Sequence, residues 1–218
     1  MANKTYLQLV NDVMVRLREP EVTAVTDNAY SKLIGKFVND AKRQVEDSFN
    51  WNALRTTQAV TTSSSVYSYS LTDCEQRFRV LYVLNSGDDW FLGYKTRTEM
   101  ADLIFNQPLV SGSPEYYSFN GVDSNGDTKV DLYPVPDGVY TINFEVVKPQ
   151  AELSASADQL KVPSEPVIFL AYSKALNERG EDNGVNSTEA YQLYRQSLAD
   201  HIAIADGRQE EDLIWTSY

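Results

Sequence analysis

The chain has 218 residues, 42% of them hydrophobic, which excludes a disordered polymer and allows one sizeable core or two small ones. A formal net charge of −12 excludes a free nucleic-acid binder with a basic stripe and opposes adhesion to phosphate. The single cysteine, Cys74, excludes an intrachain disulfide and fits assembly in a reducing cytoplasm.

The opening MANKTYLQLVNDV has no secretory apolar stretch, and no segment reaches the roughly 18 apolar residues of a membrane span. Neither export nor a membrane partner is expected. A first helix is predicted over about 5–18. Thr5 and Gln8 have capping-box spacing, Tyr6, Val10, Val13, Met14 and Leu17 recur on one face, and Pro20 stops it. A second helix starts near Asp27 or Asn28, with Tyr30, Leu33, Ile34, Phe37, Val38, Ala41, Val45 and Phe49 as a continuous stripe. Lys42-Arg43, the nearest thing to a basic run, is read as a solvated or subunit-facing edge. Trp51 and Leu54, where the chain leaves the helices, are expected to be buried at a structural junction.

From Leu54 to Lys148 the hydrophobic period changes from 3.6 to 2. Strands are expected over 58–62, 66–71, 78–84, 90–94, 115–119, 129–133 and 139–147. Asn85–Asp89, Asn125-Gly126 and Pro136-Asp137-Gly138 are read as hairpin turns, because Gly and Asn tolerate positive φ. Thr96 and Glu99 cap one short helix within this region. The stretch 150–157 (QAELSASA) reads as a linker.

Helical periodicity then returns. A third helix opens at Ser164 or Glu165 with Pro166 in its first turn, and Gly180 stops it. A fourth is capped by Asn186 and Glu189 and ends at Gly207. Its expected apolar face is Ala190, Leu193, Tyr194, Ser197, Leu198, His201, Ile202 and Ala205. The order gives an α+β chain: a four-helix bundle-like core from the N- and C-terminal helices, with an inserted antiparallel β module. The expected divisions are 1–53 and 158–206 for the two halves of the helical core, 54–157 for the β module and 207–218 for a C-terminal tail.

No residues converge on chemistry. His201 is the one histidine, so neither a Ser-His-Asp triad nor a zinc site can be built around it and Cys74. Asp123–Asp127 resembles a calcium loop, but its glycine is at the fourth position rather than the sixth and no glutamate closes it, so a hairpin turn explains it. No catalytic residues, metal or cofactor are expected, and the chain is read as an interaction protein rather than an enzyme. The tail is unusual in placing Leu213, Ile214, Trp215 and Tyr218 beyond the last helix, where termini are usually polar, and two readings stand: it folds back onto its own domain, or it anchors in a partner's groove.

Taken together, LQLVNDVMVRLREPEV, NDAKRQVEDSFNWNALR, FNGVDSNGD, DLYPVPDGVY, VPSEPVIFLAYSKALNERGEDNG and AYQLYRQSLAD resemble the head-to-tail adaptor (connector) proteins of tailed bacteriophages, including tail tubular protein A-like adaptors. The resemblance implies a virion structural protein at the head–tail junction, assembled in the host cytoplasm. It implies a homo-oligomeric ring, commonly of about twelve subunits. The ring joins the portal protein to a tail or nozzle protein and lets DNA pass without specific binding. It also implies a portal-reaching C-terminal segment, here anchored by Leu213, Ile214, Trp215 and Tyr218. A heterologous ring needs two different faces per subunit. Lys36, Asp40, Arg43 and Glu46 along the second helix are the expected edge. About twelve such chains would carry a formal charge of roughly −144, which keeps sliding DNA from sticking. The alternative is a carbohydrate- or receptor-binding β module of a tail fibre or adhesin, using Trp90-Phe91 and Tyr116-Tyr117.

Overall fold

Helix α1, Tyr6–Arg16, begins where Thr5 accepts the Gln8 N–H and the Gln8 side chain accepts the Thr5 N–H, so the capping spacing is realised. The computed structural model that shows this describes residues 3–180 and 184–208. Helix α2, Ala29–Ser48, is capped by Asn28 in a reciprocal pair with Ser31. Helix α4, Ser164–Arg179, ends at Gly180 with φ of 65°. Helix α5, Val185–Asp206, starts at Gly184 with no side-chain cap, so Asn186 sits inside its first turn and the expected Asn186–Glu189 box does not form.

The chain forms two units: residues up to Leu54 together with those from Gln150 onward, and Arg55–Pro149. In the helical unit α4 is central. Val167, Ile168, Leu170, Ala171 and Ala175 are buried around much of its circumference, because α1, α2 and α5 all pack on it. The N- and C-terminal helices therefore share one core, as the change of period implies.

The stretch expected as a linker is a built part of this unit. Asn39 of α2 holds Leu153 as a strand would, its Nδ2 donating to the carbonyl and its Oδ1 accepting the N–H, each at 3.0 Å. Tyr6 and Leu7, whose N–H groups have no partner inside α1, donate to Asp158 O and Ser156 O.

The second unit is a two-layer β sandwich. Strands β1 (Arg55–Thr61), β8 (Thr141–Val147), β3 (Arg79–Asn85) and β4 (Trp90–Phe91) form one antiparallel sheet in that order. Strands β2 (Ser68–Ser70), β7 (Thr128–Tyr133), β6 (Tyr116–Val122) and β5 (Gly93–Tyr94) form the other, in which β5 and β6 run parallel. The core lies between them, with Val83, Ile142, Phe144 and Val146 of one sheet against Tyr117, Val130 and Leu132 of the other. Helix α3, Arg97–Ala101, has the expected Thr96–Glu99 box and runs on into a π-helical turn, Asp102–Asn106.

Two strand expectations are corrected. The segment 90–94 is two strands: Trp90–Phe91 pairs with β3, Gly93–Tyr94 with β6, and buried Leu92 marks the change of sheet. Pro136-Asp137-Gly138 does not close a hairpin, because β7 and β8 belong to opposite sheets. Alternation fixes which side chains face inward, but an inward side chain looks alike from either layer of a sandwich.

Candidate interaction surfaces

Three surfaces carry the residues singled out from the sequence. The first is the exposed edge of α2. Lys36, Asp40 and Arg43 follow one another at spacings of four and three and are all exposed. Glu152, which the sequence did not single out, stands between the two cations, 3.8 Å from Lys36 and 2.8 Å from Arg43. Glu46 does not share this edge. It is 5% exposed and lies 3.1 Å from Lys42, which is itself buried rather than on the solvated or subunit-facing edge expected for Lys42-Arg43. The returning chain covers both: Lys42 donates to Gln150 O at 2.6 Å, and Glu46 accepts the Gln150 N–H at 3.1 Å. Periodicity placed these charges at the margin of the stripe, and only the tertiary return of 150–153 encloses them.

Trp51 and Leu54 are each 4% exposed. The Trp51 indole N–H donates to Val45 O at 2.7 Å and its ring meets Phe49 edge-on, so it seals the C-terminal turn of α2.

The second surface is the far end of α5. At 1.5 Å per residue, α5 is about 33 Å long against about 24 Å for α4, so its last turns overhang its main support. The buried positions are Ser187, Ala190, Tyr194 and Ser197. Of the expected face, Ala190, Tyr194 and Ser197 are buried, Leu198, His201, Ile202 and Ala205 are half-buried, and Leu193 is 44% exposed, while Ile204, outside that face, is 56% exposed. The overhang forms one wall of a cleft of about 440 Å³, opposite Trp51 and 161–164. His201 is partly buried there, its Nδ1–H donating to Ser197 O at 2.7 Å. The anchors Leu213, Ile214, Trp215 and Tyr218 lie outside the described residues.

The third surface belongs to the β unit, where Tyr82 and Phe91 are exposed and meet edge-on at 5.5 Å. Trp90 is 41% exposed with its indole N–H on Pro114 O. Tyr117, by contrast, is buried against Phe144, and Tyr116 stacks under Lys95. The aromatic pairs of the sugar-binding alternative thus do not form one platform.

The groups considered for chemistry serve the fold. Burial pushes the Cys74 thiol up, which disfavours the thiolate form. The Asp123 carboxyl is held below its usual range, first by the Ser70 hydroxyl and then by the N–H groups of its own turn. No cluster of three metal-ligating side chains occurs among the described residues. A family model described as SU10 adaptor protein matches residues 4–216. No curated protein matches the chain.

Proposed function

The chain belongs to the SU10 adaptor protein family, a family of phage virion adaptors, and from that membership we propose that it acts as one subunit of a head-to-tail ring. The match over nearly the whole chain carries this reading, because it spans both helical segments and the β unit between them. The ring, of about twelve subunits, joins the portal protein to a tail or nozzle protein, and DNA passes through its lumen. Ring closure needs two unlike faces on each subunit. The charged α2 edge of Lys36, Asp40 and Arg43 supplies one, and the uncovered apolar side of α5 the other. Glu46 takes no part in this contact, because its carboxylate is used inside the subunit. The net charge of −12 keeps the lumen from holding phosphate, so DNA slides without specific contacts.

Portal attachment is assigned to Leu213, Ile214, Trp215 and Tyr218. Burying each such side chain contributes roughly 1.5–3 kcal/mol, while ordering each residue costs roughly 1–2 kcal/mol of backbone entropy. One tail is therefore a weak ligand, and a ring of tails binds through multivalency. Trp215 is the expected dominant anchor. Trp215→Ala, or deletion of 212–218, should give a folded protein that no longer caps portals in a co-sedimentation assay. Full capping by both variants would remove the tail from the portal contact.

A further inference from the structure

The cleft beneath the α5 overhang stands out in so acidic a chain. Lys4, Lys161 and Arg208 line it, and among the described residues no aspartate or glutamate does. Lys4 is paired with Asp12 at 2.6 Å, whereas Lys161 and Arg208 make no ion pair among the described residues. Val162, Ile204 and Ala205 add apolar wall, with Ile204 56% exposed. The lining therefore suits a short peptide that carries carboxylates beside large apolar side chains.

Such a peptide is at hand. Arg208, the last described residue, is itself part of the lining, so the chain leaves the described structure at the cleft's rim. The ten residues that follow read Gln209-Glu210-Glu211-Asp212-Leu213-Ile214-Trp215-Thr216-Ser217-Tyr218, three carboxylates and then three bulky apolar groups. Ten residues reach at most about 33–36 Å when extended, ample to double back across a 440 Å³ cleft. We propose that in the free subunit the cleft is the docking site of the chain's own C-terminal segment. Glu210, Glu211 and Asp212 meet Arg208 and Lys161, and Leu213–Trp215 cover Ile204 and Ala205. Docking in cis covers the apolar anchors until a partner competes for them. It is independent of the portal reading, since the cleft and the segment complement each other whatever the segment later binds.

His201 is the only histidine in the chain and lines this cleft, so its ring protons form a one-residue NMR reporter in the full-length protein. Docking predicts that Trp215→Ala and the triple variant Glu210→Gln/Glu211→Gln/Asp212→Asn each shift the His201 ring signals, with the rest of the spectrum conserved. Lys161→Glu should shift them in the same direction. The wild-type position should not change on dilution. His201 signals that coincide in the wild type and both tail variants would overturn the proposal. A wild-type signal that moves to the variant position on dilution would assign the occupant to a second copy and overturn docking in cis. Portal capping is read separately, so its loss with an unchanged His201 signal would leave the portal reading standing and sink this one.

Discussion

Asn39 makes two of its three side-chain hydrogen bonds to the backbone of one residue, Leu153, inside the helical unit, and the third, at 3.3 Å, to the Tyr6 hydroxyl. It is 5% exposed. Truncation would leave a buried N–H and a buried carbonyl without partners, at about 1–3 kcal/mol each. Asn39→Ala should therefore lower stability by about 2–4 kcal/mol in urea unfolding, whereas Asp40→Ala beside it, on the exposed edge, should change it by less than about 0.5 kcal/mol. Equal effects would mean that the return segment is not held through Asn39. Two surface aspartates act similarly through backbone. Asp27 accepts the N–H groups of Thr23 and Ala24, and Asp158 those of Ser154 and Ala155, so both carboxyls stay below their usual range. With folded pKa values depressed, their contribution is present above the unfolded value of about 3.9 and is lost as pH falls through the folded one. Asp27→Asn and Asp158→Asn should flatten the fall in stability below about pH 4, and an acid limb as steep as wild type would contradict this.

Among the elements, the contact of α1 with α2 depends on a residue that the helical pattern passes over. A Cβ on Gly35 would meet the Tyr6 ring and hydroxyl and come within 2.9 Å of Val25 Cγ1. In an open helix Gly→Ala gains roughly 0.5–1 kcal/mol, but overpacking a buried site costs typically about 1–3 kcal/mol. Gly35→Ala should therefore destabilise, by about 1–2 kcal/mol in thermal or urea unfolding, and a raised midpoint would contradict close packing of α1 on α2 at Gly35. The elements that were legible in the sequence are those with local signals: Thr5/Gln8, Thr96/Glu99 and Gly180 each mark an end that the structure keeps. The elements that were not legible depend on distant chain. Lys42 and Glu46 read as exposed because Gln150, more than a hundred positions away, is what covers them. Thr23-Ala24 before Asp27 and Ser154-Ala155 before Asp158 did carry a local signal for two ordered loops, since Ser, Thr and Asp at that spacing satisfy backbone donors. That pattern argues against reading 150–157 as a linker.

For the molecule as a whole, the surfaces suited to assembly are those the subunit leaves uncovered: the charged α2 edge, the overhanging end of α5 and the exposed aromatics of the β unit. Of the sites proposed from the sequence, Lys36, Asp40 and Arg43 are exposed, Glu46 is enclosed, and the tail anchors lie beyond the described residues. An isolated subunit with an acidic surface has little drive to self-associate through charge alone. A template that presents many identical sites at once would close the ring through multivalency. Electron microscopy of the full-length protein mixed with the portal protein of the same virion is the most direct measurement. Portals capped by an annulus of this protein are the predicted result, and portals that stay bare at saturating protein would contradict the adaptor role.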